Sequence, residues 1–304
     1  MATINDLPNE LLLLIFRLLG ETANAQAVSS VCRRWDQLIV PTLRLRIGLY
    51  DDGDRGVRDI LCRSSRQYEA VALDFPESSC ETTDIGDRTG LWILARFMHV
   101  TDVELRFYKY DLKRIKLFFG GRIDDVPQLP AVRYLFLYGL TGDRIYSRFV
   151  QRAPNLTKLT VDQDAFLDDD AIVCICNGLP QLADLHLKIH SAVELTETAF
   201  GAIHLLTQLQ RFHISFENIS RQVWLGEWFK RLPAPTVSIE NMFLPVVMPL
   251  AEFELLLANL RTRVLTLRKI FVAVWHRTIR QEVARVRPDL QFFYLEPVDT
   301  TLFG

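Results

Sequence analysis

The sequence lacks an excess of either charge. Lys and Arg number 35 against 37 for Asp and Glu, a formal net charge of −2. A chain so balanced carries no global basic field for nucleic acid or an anionic membrane surface, and neither is expected as a partner. Long apolar runs are also missing. The greasiest stretch, Leu11–Leu19, falls well short of the ~20 residues that a membrane span needs. A signal peptide is disfavoured, because Asp6 and Glu10 stand where a positive region is expected and no small-residue cleavage site follows Leu19. Cysteines number five, odd and scattered, which fits reduced thiols in a cytoplasmic or nuclear protein rather than a disulfide framework. No Pro-, Gly- or Ser-rich linker occurs, so the parts of the chain are expected to pack together. Its 304 residues suggest about two domains.

Catalytic signatures are absent as well. There is no Gly-x-Ser-x-Gly elbow, phosphate-cradling glycine loop or His-Glu-x-x-His. An enzyme reading therefore has no residues to name, and no cofactor or metal is expected. Cys174-Ile175-Cys176 is a tempting metal or redox pair, but positions two apart on a helix do not share a face and no second pair has zinc spacing; buried thiols are the preferred reading. His186 and His190 are four apart on a strand pattern rather than a helix, and no site is assigned to them. Asp168-Asp169-Asp170 opens a helical stretch, where capping and the helix dipole account for it. Asp51-Asp52-Gly53-Asp54-Arg55-Gly56 reads as a solvated loop, since a calcium loop needs a longer run of oxygen ligands ending in glutamate.

What is present begins at the N-terminus. Leu7-Pro8-Asn9-Glu10 is followed by an apolar run to Leu19 broken only by Arg17, then a polar interval, then Val31-Cys32-Arg33-Arg34-Trp35. Asn5 or Asp6 can cap a helix, Pro8 suits its first turn, and Glu10 favours its positive end. A helix apolar almost all round must be buried on more than one side. So short a segment cannot build a two-sided core alone, and part of that surface is expected to meet a partner.

Leu-Pro-x-Glu-(x)4-Ile-Phe-x-x-Leu followed by Val-Cys-Arg-Arg-Trp resembles an F-box, over roughly residues 4–45. The resemblance implies three short helices that dock on the Skp adaptor of a cullin–RING ubiquitin ligase. It implies that Leu7, Pro8, Ile15, Leu19, Val31, Cys32 and Trp35 contact the adaptor or hold the helices together. The second helix departs from the family's leucine-rich pattern, reading Thr22-Ala23-Asn24-Ala25-Gln26-Ala27-Val28.

From residue 66 onward the chain repeats itself. Short β-like segments centre on residues 71, 103, 135, 159, 185, 212, 237, 265 and 293, with helix-like stretches between them at 142–152, 169–177, 196–206, 221–232, 250–260 and 271–286. Several repeats open with a proline that ends the preceding helix, at Pro154, Pro180 and Pro288. A strand and helix recurring at this interval mean a solenoid, each unit burying its face on the next. The form Leu-x-x-Leu-x-Leu resembles irregular leucine-rich repeats, without the asparagine usual after the strand. The expected architecture is therefore α/β: a three-helix F-box at 1–45 and a strand–helix solenoid at 46–304. A doubly covered α/β sheet is the alternative, disfavoured by the half-apolar strand pattern. F-box and repeats together resemble the FBXL class, which implies a substrate receptor of a Skp–cullin–F-box ligase; the alternative is an interaction scaffold outside any ligase. No RING-like cysteine array occurs, so ubiquitin transfer would fall to partners.

Alternation along each strand assigns the outward positions. They include Asp74; Asp102, Glu104, Arg106; Tyr134, Phe136, Tyr138; Lys158, Thr160, Asp162; Asp184, His186, Lys188; Arg211, His213, Ser215; Phe292 and Tyr294. Tyr134, Phe136 and Tyr138, with Lys158, His186 and Arg211 around them, have the aromatic centre and charged rim of an interaction surface. The competing account is that the C-terminal tail, 297–304, or a loop covers them.

Overall fold

A computed structural model of the chain describes residues 3–18, 23–40, 44–48, 63–64, 66–75, 95–96, 98–108, 127–139, 150–164, 167–189, 195–223, 234–243, 251, 254, 257–258, 261–268 and 279–295. The first module is helical: α1 (Asn9–Leu18), α2 (Ala23–Val31) and α3 (Arg33–Ile39). A single turn of 3-10 helix, Ile4–Asp6, precedes them. The two candidate caps are used otherwise. Asp6 accepts from the Thr3 backbone N–H at 2.6 Å, and Asn5 Oδ1 accepts from Trp35 Nε1 at 2.9 Å. The carbonyl of Pro8 receives the N–H groups of Leu11 and Leu12 as α1 begins.

Ten strands follow in one parallel sheet, each hydrogen-bonded to the next in chain order. They are β1 (Arg44–Gly48), β2 (Ala70–Phe75), β3 (Asp102–Phe107), β4 (Tyr134–Tyr138), β5 (Lys158–Asp164), β6 (Asp184–Ile189), β7 (Arg211–Val223), β8 (Thr236–Phe243), β9 (Val264–Arg268) and β10 (Gln291–Leu295). The chain is thus a mixed α/β protein, with a parallel sheet following an N-terminal helical module. The boundary expected at residue 45/46 lies inside β1, which pairs with β2 along its whole length.

One hydrogen-bond arrangement recurs at the start of nearly every strand. The carbonyl of Glu69 accepts the N–H groups of both Thr101 and Asp102; Thr101 accepts from Arg133 and Tyr134; Arg133 from Thr157 and Lys158; Thr157 from Ala183 and Asp184; Ala183 from Gln210 and Arg211. At the next step Gln210 receives only Thr236, because Pro235 has no N–H to give. A tight turn precedes Arg133, Thr157, Ala183 and Gln210, and another precedes the last strand. The fourth residue donates to the first in Leu129–Val132, Ala153–Leu156, Leu179–Leu182, Leu206–Leu209 and Arg287–Leu290, and four of the five carry proline second, where its fixed φ suits the turn.

The register joins Val71, Val103, Leu135, Leu159, Leu185, Phe212, Val237 and Leu265 in one continuous row. These are the central positions that the sequence pattern gives, and all are buried. The row ends on Phe292, not Phe293. Phe292 packs against the core, so its outward assignment is reversed, and Phe293 is the exposed aromatic; along the backbone Tyr294 pairs with Leu267. The last repeat is one residue shorter between its turn and its strand, which shifts the parity.

Among the described residues three further helices belong to the core side of the sheet: α4 (Asp169–Gly178), α5 (Glu197–Ile203) and α6 (Ile279–Val286). Their apolar residues, Ile172, Ile175, Phe200, Ile203 and Val283 among them, share one cluster with the strand interiors. Asp168 caps α4, accepting from Ala171 N–H at 2.9 Å, while Asp169 accepts from Thr196 N–H at 2.9 Å and ties α4 to the start of α5. The acidic triplet is thus used in capping and packing. The stretch 221–232 does not begin as a helix, because β7 runs on to Val223. The polar loop at 51–56, His190 and the tail at 297–304 lie outside the described residues.

Gly139 closes β4 with φ of 71°, and its N–H reaches the Asp162 carbonyl at 3.0 Å. A Cβ there would stand 1.8 Å from the Phe107 carbonyl oxygen. Gly139→Ala is expected to lower stability by about 2 kcal/mol or more, through the left-handed backbone and the clash together. A denaturant midpoint unchanged from wild type would contradict this.

Candidate functional site

The helical module is held by a small core and one arginine. Leu12, Phe16, Val28, Trp35, Ile39 and Val40 are buried together, with Leu7, Ile15 and Cys32 packed partly against them. The Phe16 and Trp35 rings lie 5.0 Å apart, tilted. Arg34 donates to the carbonyls of Asn5 and Leu7 and to Asn9 Oδ1, clamping α3 to the chain leading into α1. Its donor fork suits this task, since a guanidinium offers five N–H groups in a fixed plane.

Because Leu12 and Phe16 face inward, the residues at the opposite spacing face out. Leu11, Leu14 and Leu18 follow i, i+3, i+7 and form one stripe, 47%, 53% and 79% exposed. Val31 at the end of α2 and Ile4 are exposed as well. Of the residues tied to adaptor docking by resemblance, Pro8 and Val31 are exposed, Leu7, Ile15 and Cys32 are half-buried, and Trp35 is inside the small core. Leu19 lies outside the described residues. The stripe of Leu11, Leu14 and Leu18 is the feature that sequence reasoning missed. In a helix apolar on every side, only knowledge of which face is buried singles it out.

The module joins the sheet through the chain that enters β2. Tyr68 packs against both cores, and Arg66 pairs with Asp36 of α3 at 2.8 Å.

The second surface is the face of the sheet opposite the core. Here Tyr134, Phe136 and Tyr138 of β4 lie half-buried beside Tyr108, which follows β3. The Tyr108 and Tyr138 rings are 5.6 Å apart, and Phe136 stacks on Tyr138 at 6.5 Å. Two cations cover the aromatics: Lys158 Nζ is 4.7 Å from the Tyr134 ring centre, and the Arg106 guanidinium is 5.3 Å from that of Phe136. Burial chiefly raises the Tyr134 phenol above its usual 10.0. Tyr108 continues the alternation of Asp102, Glu104 and Arg106 by one more step, so its place was legible in the pattern.

Ion pairs run across the strands. Asp184 takes Arg211 at 2.8 Å and Lys158 at 4.0 Å, and Asp162 takes Lys188 at 3.0 Å. Glu104 takes Arg106 at 2.8 Å and Arg44 from two strands away, over the alanines of β2, while Arg46 pairs with Asp74 and donates to the Tyr108 hydroxyl at 3.3 Å. Asp74, Glu104, Thr160 and Ser215, expected to face outward, do lie in the outward rows but are themselves buried. Arg44 and Arg46 were not among the residues expected here, because β1 was not recognised as part of the sheet.

His186 and His213 are register partners whose rings meet edge to face at 3.9 Å. Burial holds His186 below the usual 6.5; Lys158 and Lys188 push the same way, and Asp162 and Asp184 oppose them. On the core side, Cys174 accepts from Gln151 Nε2 at 2.9 Å, and burial pushes the Cys176 thiol up to about 12. Such a thiol is neutral and unreactive. Among the described residues no cluster of three or more His, Cys, Asp or Glu is placed to hold a metal ion, and no helix is long and apolar enough to cross a membrane.

Against known families, residues 4–48 match the F-box-like family model. That span holds the three helices and β1, and it supports an F-box protein. No curated protein matches the chain.

The lowered His186 value sets a pH dependence. The unfolded chain binds this proton more tightly than the folded one, so stability is full above about pH 6.5 and falls as pH drops through the folded value. Melting followed from neutral to mildly acidic pH is expected to show this loss, and His186→Asn is expected to flatten it. An identical slope in both proteins would refute the assignment.

Proposed function

We propose that this chain is the substrate-recognition subunit of a Skp–cullin–F-box ubiquitin ligase. In this reading α1–α3 dock on the Skp adaptor, and the sheet is an irregular leucine-rich-repeat solenoid of the FBXL class. Its polar face would hold a protein substrate beside the ubiquitin-loaded enzyme, and the chain itself would do no chemistry. The gain in rate would come from proximity. F-box domains generally bind Skp adaptors, and residues 4–48 match such a domain. The observation that carries the reading is the exposed stripe of Leu11, Leu14 and Leu18 within that span. Apolar side chains aligned on one helix face and left in water mark a surface that a partner covers. Sequential parallel strands with a charged and aromatic face turned away from the core support the second half.

Co-purification with a Skp adaptor tests the docking half. Leu11→Asp with Leu14→Asp removes two exposed apolar contacts without touching the buried set. It is expected to cost about 3 kcal/mol of binding, a weakening of about a hundredfold, with unchanged melting. Equal capture of wild type and variant would remove the basis of the reading. The complex is further expected to recruit a cullin–RING module and accept ubiquitin on bound substrate. Skp capture with no cullin recruitment would move the assignment to an interaction scaffold outside the ligase.

A further inference from the structure

The polar face is balanced in formal charge but layered in depth. Its most recessed charges are carboxylates: the Glu104, Asp74 and Asp184 side chains are 4%, 11% and 17% exposed. Its most exposed charges are cations, with Arg46 and Arg211 at 59% and 66%. Each guanidinium carries five donors, and a recessed acid occupies one or two of them. What an approaching molecule meets is therefore a layer of cationic donors, interrupted in the middle by the aromatics of β4. The spacing is regular. Arg46 is on β1, Phe136 and Tyr138 are on β4, and Arg211 is on β7, so each cation is three strands from the aromatic centre. At about 4.8 Å per strand this is ~14 Å on either side, which an extended peptide crosses in about four residues.

We propose that this face binds an extended acidic peptide that crosses the strands, with an apolar anchor on the β4 aromatics and carboxylates about four residues to either side. Arg46 and Arg211 would meet the two acidic ends, and Lys158, already over Tyr134, would border the anchor. A basic peptide is disfavoured, because the acids it would seek are beneath the cations and already paired. The inference rests on the receptor reading for the role of this face and names the chemistry of what it holds.

The test is fluorescence anisotropy of the full chain with a labelled nine-residue peptide carrying a central tryptophan and two glutamates at each end. Saturable binding is expected, weakened by added salt, with the lysine-ended counterpart at least about tenfold weaker. Arg211→Glu is expected to weaken the acidic peptide by about tenfold or more, since Lys158 remains to pair Asp184 and the fold is retained. Arg46→Gln, which keeps a donor toward Asp74, is expected to act in the same direction. Preference for the lysine peptide, absence of binding by the acidic one, or equal affinity in a folded Arg211→Glu chain would each overturn the proposal. Skp capture is measured on the same preparation. Captured adaptor with no peptide binding sinks this inference alone. Peptide binding without adaptor capture sinks the ligase reading and leaves the ligand of the face standing.

Discussion

The carbonyl that precedes most strands and accepts two successive N–H groups from the next repeat is the contact on which the rest depends. From β2 onward it starts each strand at a fixed offset from the one before. Parallel pairing then keeps that offset along the strand, and a shift by one residue would turn every side chain to the other face. One decision about register thus settles both surfaces: a row from Val71 to Leu265 inside, and a row of charges and rings outside. Where proline removes one of the two donors, at Pro235, the remaining bond from Thr236 still holds the offset.

The same contact explains what could be read in advance. Each turn ends in an apolar residue that sits three places before the strand centre: Val132 and Leu135, Leu156 and Leu159, Leu182 and Leu185, Leu209 and Phe212. That spacing makes the repeats visible as a pattern. It fails in the last repeat, where Leu290 precedes Phe292 by two and the run Phe292-Phe293-Tyr294 is apolar at both parities. It also hides β1, where polar Thr42 stands three places before Leu45, the partner of Val71, so Arg44 and Arg46 fell outside the repeats read from residue 66 onward. In α1 the problem is the reverse. Hydrophobicity is everywhere, and the split between Leu12 and Phe16 on one side and Leu11, Leu14 and Leu18 on the other follows from where α3 packs. The family match covers the module that carries its own short motif. The repeats, by contrast, keep apolar spacing while the residues between are free to vary.

The outer face binds its own stability to its chemistry. Asp74 and Glu104 are buried acids, tolerable only because Arg46, Arg44 and Arg106 supply opposite charge. Removing a cation outright would leave a desolvated carboxylate behind. Substitutions that keep a donor, or that spare acids with two partners such as Asp184, separate binding from folding. The paired histidines add a different constraint. The His186 and His213 rings meet at 3.9 Å, and burial disfavours the charged form of His186 among charged neighbours.

Tyr68 belongs to both hydrophobic cores, and Arg66 joins the approach to β2 to α3. The helical module is therefore anchored at one end of the sheet rather than tethered to it. With strands stacked in chain order at about 4.8 Å each, any position on the outer face lies at a set distance from that anchor, up to ~43 Å at β10. The sheet works as a graduated ruler. A segment seated over β4 is held three steps from the first strand, and adding or deleting one whole repeat before that strand would move its cargo by one graduation while leaving the contacts unchanged.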